Sequence, residues 1–396
     1  MTAEAAQPRS GNAVILALAA IAALGSMAIH MLVPALPQLA RDLQLEPGAA
    51  QLAISVYLAG LGMGQLMAGP AVDRIGRRPV LLAGIGAYVL GALGSALAPA
   101  LPWLLAARLV QALGGACGVV TARVMVGDLF GREEQARRQA TLMMVVLISP
   151  SVSPVLGGLL ADLGSWRLIP GVLGLSALAV LVIALPMLPP ARPVSASGIR
   201  PFLPDLARLL RNRQFLAVTA TLAGGSSALY LFLSSAAFLL VHDFGLSESE
   251  AGPFFLVVAT TSIAGTRLVA PLGRHTDAVL AGVGLIFAGA VIALGLALGG
   301  ITGPTALVAP MLLVGLGAGV TGPSAISILL YVEEGLAGTA TSIAGAMQML
   351  VSGAATVVMA QFAPVSPLRL AIGLSIAASC ALAAALARRR GAVNRN

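Results

Sequence analysis

The chain has 396 residues, of which 58% are hydrophobic and only 10% are charged. Soluble domains are about 45–50% apolar and about 25% charged, so this composition excludes a soluble globule and indicates an integral membrane protein. The net charge of +8 comes from arginines that lie in turns and at the ends of apolar runs, and we therefore expect no nucleic-acid partner.

Twelve apolar runs are each long enough to cross the hydrocarbon core of a bilayer, which takes about 20 helical residues. The first run follows Arg9, but it is too long for the apolar core of a signal peptide and similar runs follow it. We therefore expect it to be retained as a span. The predicted spans are 13–36, 50–71, 79–98, 102–127, 139–161, 168–188, 215–240, 252–272, 278–299, 304–331, 336–362 and 366–387.

The longest polar interruption, residues 189–214, divides the spans into two groups of six. We predict a six-helix bundle over 1–188, a cytoplasmic linker over 189–214 and a second six-helix bundle over 215–396. If the amino terminus is cytoplasmic, seventeen of the 23 basic residues fall on the cytoplasmic side and three on the other. The positive-inside rule therefore predicts that both termini are cytoplasmic.

A short charged turn joins the second and third spans, and we predict that it has a conformational role. Asp73 and Arg77 are four residues apart, so they can pair if one helix continues through both. A glycine at position 69 permits close approach of another helix. The candidate residues of this turn are Gly69, Asp73, Arg74, Gly76, Arg77 and Arg78.

Polar residues within the spans are the candidate coupling site. Arg108 lies about 8 Å into the fourth span, at 1.5 Å per residue, and an arginine there is expected to face the interior or a watery cavity. Gln111 follows on the same helical face. His30 has the only intramembrane side chain that ordinarily titrates near neutral pH. It is either a hydrogen-bonded polar group or the proton carrier, and Asp128, near the inner end of span four, is the competing carrier.

Two further sets of residues complete the candidates. Prolines and glycines in the fifth span can kink that helix; they are Pro150, Pro154, Gly157 and Gly158. Apolar walls with few polar groups suit amphipathic ligands, and the predicted lining residues are Tyr57, Met144, Tyr230, Phe232 and Phe238.

Several segments resemble the major facilitator superfamily. The pattern Gly69-x-x-x-Asp73-Arg74-x-Gly76-Arg77-Arg78 is similar to that family's loop between spans two and three. ARLVQALGGACGVVTARVMVGDLF, around Arg108, resembles its fourth-span motif, and ISPSVSPVLGGLL resembles the fifth-span motif of its antiporters. With VPALPQLARDL after the first span, the chain resembles the drug:proton antiporter branch, closest to the bicyclomycin and chloramphenicol resistance (Bcr/CflA) subfamily.

The resemblance implies an all-α membrane protein with twelve transmembrane helices in two pseudo-symmetric six-helix bundles. It further implies that the charged turn, together with Asp128, latches an outward-open state, that Arg108 lies near a central cavity, and that the fifth-span motif contacts its pseudo-symmetric partner on the outer side. In that subfamily an aspartate commonly occupies the position of His30.

We therefore expect a secondary active transporter in the bacterial cytoplasmic membrane that exports small amphipathic compounds, such as chloramphenicol- or bicyclomycin-like antibiotics, by proton-coupled alternating access. Its expected partners are the substrate, protons and the lipid bilayer, and the expected state is a monomer. We expect no enzymatic activity, no catalytic residue, no cofactor and no metal. Two alternatives stay open: an exporter of a sugar or amino acid, or a non-transporting membrane sensor.

Overall fold

The computed structural model describes residues 11–130, 132–187, 202–275, 277–333, 336–362 and 364–393. Every regular element in these residues is helical. In chain order the α-helices are α1 Gly11–His30, α2 Leu36–Asp42, α3 Pro47–Ile75, α4 Arg77–Ala96, α5 Leu101–Leu129, α6 Arg132–Asp162, α7 Leu168–Ala184, α8 Phe202–Arg211, α9 Arg213–Phe238, α10 Glu248–His275, α11 Ala278–Leu298, α12 Pro304–Leu329, α13 Ala337–Ala360 and α14 Pro367–Val393.

Each of the twelve predicted spans contains an α-helix, and eleven of the helices described are long and apolar enough to cross a membrane. The exception is α7, an apolar helix of 17 residues that continues into a short 3₁₀ turn at Leu185–Met187. The all-helical fold class is therefore confirmed. Pro150 and Pro154 lie inside the uninterrupted helix α6.

The first predicted span, 13–36, ends too late. Helix α1 stops at His30, residues 31–35 form turns, and the separate short helix α2 begins at Leu36 with a proline in its first turn. Pro34 and Pro37 explain the break, because proline removes a backbone donor and disfavours helical conformation in the residue before it. Hydropathy alone does not register this break, since the residues around it are apolar.

The predicted linker contains a helix of its own. Helix α8 carries Arg208 and Arg211 in its last turn and is strongly amphipathic. Arg208 bonds Glu333, before α13, at 3.1 Å, so α8 is fastened to the second group of helices. Residues 188–201 of the linker, with Arg192 and Arg200, lie outside the described part.

In each half, glycines bring a pair of neighbouring helices into close contact. Gly114 on α5 packs on the backbone of Gly84 on α4, and Gly317 on α12 packs on the backbone of Gly282 on α11. A side chain at either position would collide with the backbone of the neighbouring helix. Glycine has no side chain, so it lets the two helices approach closely. The α4–α5 and α11–α12 pairs are thus built in the same way, as expected for two pseudo-symmetric bundles.

Because successive long helices run in opposite directions, the molecule has two distinct ends. We call the end with the 69–78 turn the turn end; α1 begins there and α5 finishes there. We call the opposite end, where α1 finishes and α10 begins, the far end. Between them the halves pack through α3 against α13 and through α6 against α10.

Candidate functional site

Arg108 is buried in the first half of the molecule, with 1% of its surface exposed. Its Nη2 donates to the carbonyl oxygen of Ala28 on α1, and its Nη1 donates to Oε1 of Gln111, both at 2.9 Å. Its guanidinium lies 4.2 Å from the ring centroid of Tyr57 on α3. Among the described residues no carboxylate pairs with it. Neutral acceptors and an aromatic face therefore hold the charge, and through them Arg108 connects α1, α3 and α5.

Two tyrosines attach the same segment of α1 from other helices. The hydroxyl of Tyr57 donates to the carbonyl oxygen of Gly25 at 3.1 Å, and that of Tyr88, on α4, donates to the carbonyl oxygen of Leu24 at 2.9 Å. A Cβ at Gly115 would lie 3.1 Å from Gly25 Cα, so α5 runs directly against α1 here. Both tyrosines are buried. The result is a rigid polar cluster around Arg108.

His30 lies where the two halves meet near the far end. Its Nδ1 is 2.8 Å from the carbonyl oxygen of Ser26, so Nδ1 carries the hydrogen and donates it. Nε2 is then the basic atom, and it has no hydrogen-bond partner among the residues described. The imidazole faces Tyr230 on α9, with ring centroids 6.3 Å apart. His30 and Tyr230 are both buried, so two predicted site residues meet across the interface between the halves.

A seam of hydroxyl groups continues this interface along α3 and α13. Ser55 and Thr356 bond each other at 2.8 Å across the halves, while Ser226 on α9 bonds Ser352 on α13 at 2.8 Å. Gln51, one turn before Ser55, is fully buried, and both atoms of its amide lack a partner within the described part of the chain. An unpaired buried amide costs about 1–3 kcal/mol. A polar ligand or a water molecule at this point would satisfy the Gln51 amide.

Glycines of α6 close the far end. A Cβ at Gly157 would lie 2.8 Å from Met31 Cα, and one at Gly158 would lie 2.9 Å from Ser249 Cα at the start of α10. Gly252, on α10, faces back onto the backbone of α6. The Gly157 contact lies within the first half, whereas the Gly158 and Gly252 contacts join α6 to α10. The latter two leave no room for side chains, so the halves are tightly packed at this end.

An ion pair across the halves adds to the closure at the far end. Arg41 on α2 donates through Nη2 to Oε1 of Glu248 at 2.6 Å. The side chain of Glu248 is 11% exposed and that of Arg41 is 55% exposed. The pair is therefore only partly screened by solvent.

At the turn end, Asp73 and Arg77 do not share a helix, so the pairing that a continuous helix would allow is not formed. Helix α3 stops at Ile75 and α4 begins at Arg77, because Gly76 adopts a φ of 98°. Arg77 instead donates from Nε to Oδ2 of Asp128, at the end of α5, at 2.7 Å. The close approach expected at Gly69 is also absent in this conformation, since a Cβ there would meet no atom within 4 Å.

A cavity of about 330 Å³ separates the turn from the second half. Asp73 and Arg74 line it on one side, and Gly338 and Ser342 of α13 line it on the other. Arg78 is half-buried at the start of α4. The far end is closed while the two halves stand apart at the turn.

The other predicted lining residues are divided between the interior and the surface. Phe232 packs on Phe255 of α10, with ring centroids 5.8 Å apart, and Phe238 is buried. Met144 is 56% exposed and does not join the buried cluster. The part of the chain that is described contains no group of three histidines, cysteines or acids able to hold a metal.

Sequence reasoning missed Tyr88, the Ser55–Thr356 contact and the Arg41–Glu248 pair. The two contacts join residues 301 and 207 positions apart, so no local pattern in the chain signals them. Tyr88 lies in an apolar run, and its hydroxyl group is the one feature of the sequence that points to a hydrogen bond there.

The comparisons with known proteins agree with the fold. A family model described as Major Facilitator Superfamily matches residues 16–356. The chain is 30% identical to "Multidrug resistance protein D" of Escherichia coli (strain K12) over 341 residues, 86% of each chain. It is also 30% identical to "Chloramphenicol resistance protein" of Pseudomonas aeruginosa over 335 residues, 84% of this chain and 80% of the relative.

Solved structures give the same fold at lower identity. A D-xylose-proton symporter superimposes with a TM-score of 0.76 at 16% identity, covering 95% of this chain and 96% of the other. A POT family transporter gives a TM-score of 0.77 at 13% identity, covering 94% of both chains. The family match, the relatives and the fold lead to one conclusion: the chain belongs to the major facilitator superfamily and is a multi-pass membrane transporter, not an enzyme.

Proposed function

We propose that this chain exports small amphipathic compounds, such as chloramphenicol- or bicyclomycin-like antibiotics, in exchange for protons, by alternating access between the two halves. The observation that carries the proposal is the buried interface between the halves. Among small and aliphatic residues it contains aromatic rings and hydroxyl groups, and Arg108 is a buried charge beside it. Such a surface suits ligands with apolar bodies and a few polar groups. The printed names of the two drug-resistance relatives support the same substrate class.

We propose His30 as the proton carrier, since Nε2 is free and the ring lies between the halves. A charged imidazolium buried against Tyr230 would be costly, and Arg108, which bonds α1 at Ala28, two residues before His30, adds a second positive charge. Protonation therefore favours the conformation in which the far end opens and hydrates His30. A proton changes the equilibrium because its affinity differs between the two states. Asp128 is the competing carrier, and its exposed pairing with Arg77 makes it the weaker candidate.

The proposal is tested by chloramphenicol accumulation in inverted membrane vesicles, with and without an imposed pH gradient. We expect gradient-driven accumulation by the wild type and its loss in His30→Ala. His242→Ala is the matched control, because His242 lies at the same end outside the interface between α1 and α9, and it should transport normally. Asp128→Asn should retain accumulation that depends on the pH gradient.

Two results would contradict parts of the proposal. Full gradient-driven accumulation in His30→Ala, with none in Asp128→Asn, would assign the proton to Asp128. If a panel of sugars and amino acids is accumulated while cationic, neutral and zwitterionic drugs are not, the proposed substrate class is wrong.

A further inference from the structure

A long apolar groove runs along the outside of the second half, between α13 and α14. The two helices both pack against α9 but hardly against each other, and the space between them is a cavity of about 520 Å³. Its walls are almost entirely apolar, and several of its large side chains are exposed: Val351, Val358, Phe362, Ile372 and Ile376. The face is therefore suited to hydrocarbon.

Arg369 stands at the far-end mouth of the groove. Its Nη1 donates to the carbonyl oxygens of Phe362 and Pro364, at 3.0 and 2.9 Å. Its Nε and Nη2 have no partner in the described part of the chain. The edge that remains free is the one with which an arginine donates two parallel hydrogen bonds to a phosphate.

The other two arginines predicted on this side are paired. Arg41 bonds Glu248, and Arg167 bonds Asp42. Arg369 has no carboxylate partner among the residues described, and its side chain is exposed. It therefore offers an uncompensated positive charge at the membrane boundary, directly above an apolar groove.

The depth of the groove matches one leaflet. From Arg369 at the mouth to Cys380 at the inner limit of the lining, α14 rises roughly 16 Å at 1.5 Å per residue. Half of a typical hydrocarbon core is about 15 Å. A chain anchored at Arg369 and lying in the groove would reach about the middle of the bilayer.

We propose that this groove binds one acyl chain of an anionic phospholipid, whose phosphate pairs with Arg369. An apolar compound alone would fill the groove without using the free guanidinium edge. A lipid would use both the apolar groove and the guanidinium edge, because its phosphate lies at the membrane surface beside Arg369 while its acyl chain enters the groove. The bound chain would reach the floor of the groove, which α9 forms with Leu231 and Ser227.

The test uses the full chain in phosphatidylcholine nanodiscs that contain a tracer of phosphatidylglycerol with a photoactivatable diazirine in one acyl chain. After illumination, mass spectrometry maps the adducts. We expect them to concentrate on groove residues relative to the exposed face of α4, which includes Leu90 and Leu93. A phosphatidylcholine tracer with the same diazirine chain should label the groove less.

Two variants separate the headgroup from the chain. In Arg369→Gln, groove adducts should fall about tenfold, as expected when a hydrogen-bonded charge is lost. In Ala355→Phe, which fills the groove and leaves Arg369 intact, they should fall as well, so the result does not depend on the stability of one variant. Arg389→Gln removes a charge from the other end of the same helix and should leave groove labelling unchanged.

The proposal is overturned if adducts are spread evenly over the groove and α4, or if Arg369→Gln labels like the wild type. Equal labelling by the two tracers would overturn the preference for an anionic lipid. Displacement of the tracer by chloramphenicol, to the same extent in Arg369→Gln, would show that the groove takes an apolar compound instead.

Discussion

At the scale of single residues, Arg108 combines an aromatic contact with hydrogen bonds from separate nitrogens, which only a guanidinium makes together. Its flat face lies on Tyr57, while separate nitrogens reach Gln111 and Ala28. A third, longer hydrogen bond runs from Nε to the carbonyl oxygen of Ala53 at 3.5 Å. A lysine has a single point charge on a flexible stem and cannot reproduce this fork. The position therefore requires arginine for its shape as well as its charge.

We predict that Arg108→Lys lowers the free energy of unfolding by about 2 kcal/mol, the value of a hydrogen bond to a charged group. The charge is kept, but the contacts that connect α1, α3 and α5 are lost, so transport should fall too. Thermal unfolding in detergent and chloramphenicol accumulation in vesicles measure the two effects. Arg123→Lys, on the same helix at a side chain whose Nε has no described partner, is the control and should change little. Wild-type stability in Arg108→Lys would refute the prediction.

At the scale of elements, the charged turn depends on one glycine and not on the other. Gly76 has φ 98° and ψ 162°, a region that side-chain-bearing residues almost never adopt. Gly69 lies inside α3 with open space around its Cα. Only Gly76 is required by backbone geometry, because it lets α3 end and α4 begin within one residue and so brings Arg77 to Asp128.

The two glycines therefore predict opposite effects of the same substitution. Gly76→Ala should destabilise the protein by about 1–3 kcal/mol, the cost of a residue held in such a conformation. Gly69→Ala should be neutral or stabilise it by up to about 1 kcal/mol, because alanine is the better helix former. Thermal unfolding of both variants side by side measures this. A larger loss in Gly69→Ala than in Gly76→Ala would contradict the assignment.

The elements also show what the sequence could predict. Each predicted span is an apolar run of about 20 residues, which is the length that a bilayer requires of a helix. The structure has a helix in each of the twelve runs. The break after His30 was not predicted, because Pro34 and Pro37 lie among apolar residues and a hydropathy pattern carries no information about backbone geometry. The turn between Asp73 and Arg77 was predicted from its glycines and charges. The residues at which the two helices end and begin depend on the backbone conformation of Gly76, which the sequence pattern does not give.

The candidate site was predictable only within single helices. Arg108 and Gln111 lie three residues apart on one helix face, and the structure brings them together as helical spacing requires. His30 facing Tyr230, or Ser55 facing Thr356, depends on how two separate halves pack. Nothing in the order of residues along one helix determines such a contact.

At the scale of the whole molecule, the arginine bias predicts which end faces the cytoplasm. The turn end carries the 69–78 turn, Arg208 and Arg388, so we propose that it is cytoplasmic, with both termini on that side. A green fluorescent protein fused after residue 396 should fluoresce, while alkaline phosphatase fused there should be inactive. Alkaline phosphatase inserted at Gly164, between α6 and α7 at the far end, is the matched control and should be active. The reverse pattern would contradict the orientation.

The ion pair between Arg41 and Glu248 leads to a prediction about the balance between the two conformations. It joins α2 of the first half to α10 of the second, so opening of the far end would separate its two partners. Because Arg41 is largely solvated, the pair is worth no more than about 1 kcal/mol, a population change of about fivefold. Reversal of one charge replaces that attraction by repulsion and should favour opening.

Spin labels at two exposed far-end positions of the two halves, Leu163 and Ile301, can report this opening in a variant whose two cysteines are replaced by serine. Arg41→Glu and Glu248→Arg should each increase the population with a long distance between the labels. The double variant restores an opposite-charge pair in reversed order and should return the distribution towards the wild type, since the coupling of neighbouring residues appears as non-additivity. If the two single reversals leave the distances unchanged, the contacts of Gly158 with Ser249 and of Gly252 with α6 suffice to keep the far end closed, and the ion pair has no part in it.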